Sequence, residues 1–594
     1  MSGAAPTGPG SAGRGPAAPP TVWAPAATAV ALVTGGRDHP MHPRPGGWWQ
    51  AAAPLPPGTD YAFRLDGGPA LPDPRSPWQP AGVHGPSRTF DPAAHAWGDA
   101  GWAGRSSLGA VVYELHVGTF SAAGTFDGAL AHLDHLVDLG VDMVELMPVA
   151  AFPGTHGWGY DGVALYAVHE AYGGPAGLQR FVDACHQRGL TVCLDVVYNH
   201  LGPSGNYLGA YGPYFTDRHH TPWGSAVNLD GPDAGPVRAF VIENALRWLR
   251  DFHVDALRLD AVHALLDDSP RHLLAELADA VADLAETVGR PLSLIAESDR
   301  NDPRTVAPTA VGGLGMTAQW ADDVHHALHA YLTGERHGYY TDFGAPETLS
   351  RALTEVFVHA GTFSTFRGRD WGAPVPPEVD GRRFVVFAQD HDQVGNRALG
   401  DRPSAVLDDG QLAAAAALVL LAPYTPMLFM GEEWGARTPF QYFTDHAEPE
   451  LAAAVREGRT AEFGAHGWAE LYGGDVTVPD PQSPATVAAS RLDWAEPAEP
   501  RGERLLGWYR DLIALRRAEP DLASGDRSAT AADVSEESVL LRRGSFLVAA
   551  PTGDGGQTLP LPGGADVVLA FGGAEVRDGQ VVLDRHAVAV LRLR

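Results

Sequence analysis

The chain has 594 residues, with 72 acidic against 42 basic side chains and a formal charge of −30. That length exceeds one hydrophobic core and predicts roughly two to four domains. The acidity argues against nucleic acid or an anionic membrane as partner, and no apolar run approaches the roughly 20 residues that span a bilayer. Every basic side chain is arginine, which reads as the coding bias of a GC-rich genome, with salt tolerance as the other reading. Cys185 and Cys193, the only cysteines, read as core filling rather than a bridge and predict a reducing, cytoplasmic setting. With no cysteine cluster, neither a zinc site nor a cofactor is expected.

Apart from Met1, Thr7 and Arg14, residues 1–20 are Gly, Ala, Pro and Ser and read as a disordered tail. Thr21–Ala31 and Asp60–Leu65 are strand-like runs between Pro/Gly turns, predicting an N-terminal β-sandwich over 21–100. Eight short apolar runs follow: Val111–His116, Asp142–Pro148, Thr191–His200, Val254–Leu259, Pro291–Glu297, Met316–Trp320, Arg383–Asp392 and Thr425–Gly431. Amphipathic segments such as Gly128–Leu139 and Ala176–Arg188 separate them. This alternation predicts an α/β chain whose residues 101–520 form a (β/α)8 TIM barrel. A short excursion follows its third strand, at about 199–235, and the helix Arg504–Ala518 closes the barrel. Ser538–Arg543, Phe546–Ala550, Asp566–Ala570 and Ala587–Leu593 then predict an antiparallel β domain over 521–594.

The chemistry collects at the ends of the barrel runs. In DALRLD, Asp255–Asp260, alternation puts Arg258 and Asp260 on one face. A guanidinium beside a carboxyl favours the ionised acid, as a nucleophile requires, though a structural pair at a barrel rim fits the same spacing. Glu297 ends another run with no arginine in its own strand, which suits it to hold and donate a proton. Asp392 ends a third, and Asp195, Asn199 and His200 end a fourth. Active sites of such barrels lie where these residues gather. The pair His325–His326 cannot share one metal ion, since adjacent helical side chains point about 100° apart, and both are expected to face solvent.

DVVYNH at Asp195–His200, DALRLDAVH at Asp255–His263, AESD around Glu297 and HDQ at His391–Gln393 resemble the α-amylase superfamily of retaining α-glucan enzymes. YELHVGTF at Tyr113–Phe120, LMPVAAFPGTHGWGYDGV at Leu146–Val163, ESDRNDP at Glu297–Pro303, AQDHDQVGNR at Ala388–Arg397 and MGEEWGARTPFQYFTDH at Met430–His446 narrow the resemblance to maltooligosyltrehalose trehalohydrolases. PDPRSPWQPAGVHGPS at Pro72–Ser87 belongs to the same pattern. One departure is Asp390, where the pattern suggests asparagine.

The resemblance implies retaining hydrolysis of the α-1,4 bond between a maltooligosaccharide and a terminal trehalose unit. Asp260 would be the nucleophile, Glu297 the acid, and Asp392 the group that stabilises the sugar. His200 and His391 would hydrogen-bond that sugar and Tyr160 would stack beneath it, with Arg258 and His263 also at the substrate. His116 and Asp161 would brace the pocket. His116 and His200 also fit core histidines, and Tyr160 fits plain packing. Trp434 either lines the leaving-group side or caps the barrel. Glycogen branching enzyme, which passes the glycosyl group to a glucan hydroxyl, is the nearest alternative. A non-catalytic glucan-binding protein is the remote one, disfavoured because all three carboxylates are present.

Overall fold

A computed structural model describes residues 18–463, 472 and 476–594; residues 1–17, most of the expected tail, lie outside the described residues. Eight parallel strands close into a barrel in chain order. They are β1 Val112–Leu115, β2 Met143–Leu146, β3 Thr191–Val196, β4 Ala256–Leu259, β5 Ser293–Ala296, β6 Ala318–Trp320, β7 Phe384–Phe387 and β8 Thr425–Phe429. Each falls within one of the eight apolar runs read from the sequence.

Period-2 alternation explains how the barrel carries its site. Val112, Met143, Cys193, Ala256, Ile295, Ala318, Val385 and Met427, one from each strand, form one buried cluster inside the barrel. Val144, Leu257, Leu259 and Leu294 alternate with them and join the larger core. Two residues onward the inward positions become polar: Glu114 on β1, Glu145 on β2, Asp195 on β3, Arg258 on β4 and Glu297 just past β5. One further step beyond Arg258 is Asp260. The site is therefore the upper layer of the barrel interior.

Register then chooses the partners. Asp195 pairs with Arg258 across β3 and β4, and Arg258 pairs with Ile295 across β4 and β5. Glu114 and Glu145 are partners across β1 and β2.

The predicted helix Gly128–Leu139 is two pieces, Phe126–Leu130 and Leu133–Leu139, because the backbone of His132 leaves the helical region (φ −111°, ψ 2°). The helix Pro500–Ala518 lies against Asp409–Leu421. Trp508 Nε1 donates to the Ala413 carbonyl at 3.0 Å, and Arg516 reaches the carbonyls of Leu420, Ala422 and Tyr424. After β3 comes a hairpin, Phe215–Thr221 with Gly224–Val227. Antiparallel sheets flank the barrel in sequence. On the N-terminal side Thr21–Trp23, Trp48–Gln50 and His42–Arg44 make one sheet, and Val30–Thr34 and Asp60–Leu65 centre another. The C-terminal five-stranded sheet contains the four strands read from the sequence plus Thr530–Val534, and a three-stranded sheet joins it. Cys185 and Cys193 are both buried and unbridged.

Candidate active site

Arg258 is fully buried and joins three carboxyls. Nη1 donates to Asp195 Oδ2 at 2.8 Å and to Asp260 Oδ1 at 2.9 Å, while Nη2 lies 3.2 Å from Glu297 Oε2. The guanidinium carbon sits 4.4 Å from the centre of the Trp320 ring. Burial opposes its charge, but Asp195, Tyr160, Glu297 and Asp260 more than compensate and hold the guanidinium well above its usual range. The expected Arg258–Asp260 pair is thus present. The expectation that Glu297 stands clear of arginine is corrected: Arg258 reaches it from the neighbouring strand, so the lack of an arginine in its own strand gives no ground for its holding a proton.

Backbone and amide groups fix both carboxyls further. Asn199 Nδ2 donates to Asp260 Oδ2 at 3.0 Å, and the Ala261 N–H donates to Glu297 Oε2 at 2.6 Å. Ala261 achieves this in the left-handed region, at φ 39°, a conformation costly for a residue with a Cβ and concentrated at functional sites.

Asp392 enters from the short helix His391–Gly395, its side chain 42% exposed. Asn396 Nδ2 donates to Asp392 Oδ1 at 3.2 Å, and His391 Nε2 lies 3.5 Å from the same oxygen. His391 also meets Tyr160 Oη at 2.8 Å, and Tyr160 donates to Asp195 Oδ2 at 2.6 Å. One continuous polar chain therefore links Asp392, His391, Tyr160, Asp195, Arg258, Asp260 and Glu297. Burial raises the Asp195 carboxyl to about 7 despite Arg258. His200 stacks on Trp223 at the hairpin turn, with ring centres 4.5 Å apart and planes 5° from parallel. Its ring nitrogens meet Asn199 Oδ1 and the Tyr160 carbonyl. Burial lowers its basicity first, with Asp260 opposing. His263 is half-buried, 3.7 Å from Asp299, and Asp161 lies 3.6 Å from His446.

The surroundings of His116 and Trp434 choose between readings left open by the sequence, and those of His325 and His326 overturn the expectation. His116 is buried, and its ring nitrogens are taken by Thr119 Oγ1, the Gly157 carbonyl and Tyr172 Oη. Burial holds it near 4, so it braces the Gly157 turn as a neutral core histidine and presents no free ring nitrogen to a ligand. Trp434 is 2% exposed, donates to Glu496 and packs near Trp494, so it caps the barrel rather than lining a cleft. His325 and His326 are buried rather than solvent-facing: their helix, Asp322–Thr333, is covered by Tyr339, Tyr340 and Phe343. Asp390, the departure from the family pattern, lies beyond the end of β7 at Phe387 and caps the following helix by accepting from the Gln393 N–H at 2.9 Å.

Sequence reasoning assigned no role to Glu114, Asn199, Trp320, Ala261 or Asn396. Only Asn199 had a usable signal, its place beside His200 at a strand end; the others depend on partners distant in sequence or on backbone conformation.

A closed parallel barrel with three carboxyls gathered at its C-terminal rim defines the α-amylase class of glycoside hydrolases. The family profile "Alpha amylase, catalytic domain" matches residues 98–212. A malto-oligosyltrehalose trehalohydrolase of Arthrobacter ramosus is 55% identical over 579 residues, 96% of this chain and 99% of that protein. The crystal structure of a protein assigned as an alpha amylase from Salmonella typhimurium superposes with a TM-score of 0.88 at 39% identity, covering 96% of this chain and 97% of that one. A 1,4-alpha-glucan branching enzyme of Vibrio parahaemolyticus is 36% identical, over 52% of this chain and 47% of its own. The chain belongs to the malto-oligosyltrehalose trehalohydrolases.

Proposed function

We propose that this protein hydrolyses the α-1,4-glucosidic bond of maltooligosyltrehalose, releasing trehalose and a shortened maltooligosaccharide, as a step in trehalose formation. The observation that carries the reading is the shared guanidinium. Arg258 touches Asp260 at 2.9 Å and Glu297 at 3.2 Å, which keeps the two carboxyls on one side of the rim. A retaining glycosidase needs its pair about 5–5.5 Å apart, and one guanidinium in contact with both carboxyls supports that reading by keeping them neighbours across the rim.

In this mechanism Glu297 gives its proton to the glycosidic oxygen while Asp260 attacks the anomeric carbon. The trehalose moiety leaves as an alcohol, and a glycosyl ester forms on Asp260. Water, deprotonated by Glu297, then attacks that carbon, frees Asp260 and restores the acid. Asp392 stabilises positive charge on the ring and binds hydroxyls at the reacting sugar. His391, His200, Tyr160 and His263 contribute contacts around it, and Trp223, half exposed and stacked on His200, offers a flat apolar face to a neighbouring sugar. The cytoplasm is the proposed location, supported by two unbridged cysteines; among the described residues no helix is long and apolar enough to cross a membrane.

The test is product analysis on two substrates. Maltooligosyltrehalose should yield trehalose with one water consumed per bond, and plain maltooligosaccharide should be cut far more slowly. New α-1,6 linkages would instead establish glucan transfer, and no turnover of either substrate would leave only a binding role.

A further inference from the structure

Glu114 lies inside the barrel on β1 and is 1% exposed. A carboxylate there is costly unless charged or hydrogen-bonding partners meet it. Both of its oxygens go to one residue. Oε2 accepts the His391 backbone N–H at 3.0 Å, and Oε1 meets His391 Nδ1 at 2.5 Å. This two-point hold fixes the start of the His391–Gly395 helix and the rotation of the imidazole together.

The hydrogen-bond directions define the state of the ring. Tyr160 spends its only proton on Asp195, so its oxygen accepts from His391 Nε2. Nδ1 faces a carboxylate, so it too carries a proton, and the ring is an imidazolium. Burial opposes that charge, but Glu114 and then Asp392 outweigh it and bring His391 up to about 10. Asp195, His116 and Tyr160 are further titratable neighbours, and the Arg258 guanidinium stands beyond Tyr160, its Nη1 3.4 Å from the Tyr160 oxygen. Glu145, the register partner of Glu114, is pushed up to about 8 by burial and then by the charge of Glu114. At neutral pH Glu145 therefore mostly keeps its proton.

We infer that Glu114 is a positioning residue for the reaction: its two-point hold on His391 aims Nε2–H at Tyr160 and Asp392 and sets the Asp392 helix against Asp260 and Glu297. This rests on the hydrolytic reading above. A loosened imidazole would let Asp392 drift, and misplacement of about 1 Å can slow turnover about 100-fold.

The test combines Glu114→Gln, His391→Gln and the double variant with spectroscopy of the wild-type protein. Glu114→Gln should lower kcat about 100-fold with KM little changed, and should move the alkaline limb to lower pH. In the His391→Gln background it should add almost nothing, because both act through one ring. Losses that multiply in the double variant, or a Glu114→Gln protein with normal kcat and an unmoved limb, would overturn the inference. Nitrogen-15 histidine NMR of the wild type, with His391 assigned by its loss in His391→Gln, should show an imidazolium at pH near 8. A neutral ring there would also overturn it, whether or not Glu114→Gln folds. A wild-type protein that releases no trehalose would instead sink the hydrolytic reading and leave the NMR result standing.

Discussion

Arg258 Nη2 lies 3.2 Å from Glu297 Oε2, although the two residues belong to different strands. The other terminal nitrogen of the same guanidinium holds Asp260 and Asp195. Replacing Arg258 with Ala should therefore release both members of the proposed catalytic pair. Turnover should fall by orders of magnitude, and stability should fall by about 3–5 kcal/mol because buried carboxyls lose their counter-charge. Steady-state kinetics and thermal melts on one preparation check both effects. Normal turnover in the variant would reduce Arg258 to a structural brace.

The stereochemistry follows from the same contact. Retaining enzymes carry their pair about 5–5.5 Å apart; if Asp260 and Glu297 form such a pair, the first reducing-end product seen by proton NMR during turnover should be the α-anomer. Initial β-anomer would require a wider pair with a water between them.

Ala261 should tolerate glycine and reject valine. Its φ of 39° suits glycine, whereas a β-branched side chain resists that region. Ala261→Val should swing the N–H away from Glu297 and lower kcat at least tenfold, on the order of the loss of one oriented donor. Ala261→Gly should stay within about 1 kcal/mol of wild-type stability and keep its rate. Equal rates for all three proteins would show that the Ala261–Glu297 hydrogen bond carries no catalytic weight.

Asp390→Asn should leave the alkaline limb of the rate profile in place. Burial, with Glu114 and Asp392 adding to it, raises the Asp390 carboxyl well above its usual range, so a neutral amide resembles the group it replaces. Asn is also a good N-cap, and the stability change should remain under about 1 kcal/mol. A clear acidic shift of the limb would mean that Asp390 acts as a charge in the cleft.

Acid should attack the buried histidine helix. Burial lowers His325, His326 and His329, with His326 near 3. For bases depressed on folding, the unfolded chain binds more protons between about 6.5 and the folded value, so their stability contribution is complete above about 6.5 and is lost as pH falls toward 3. Urea unfolding between pH 7 and 4 should show a falling midpoint, and His326→Phe, which removes one of these groups, should flatten that slope. An unchanged slope would place the acid sensitivity elsewhere.

The sequence by itself determined the eight strands and the rim residues Arg258, Asp260, Glu297 and Asp392, because alternation and strand ends are local properties. It also showed Arg258 beside Asp260, two positions apart on one face. Only the closed barrel decided that Arg258 serves Glu297 as well, and that Glu114 grips His391 from 277 residues away. Tertiary packing likewise turned His116 and Trp434 into buried braces and covered His325 and His326. A strand shows which face its side chain takes; burial and partners depend on what closes over that face, and that is a property of the whole fold.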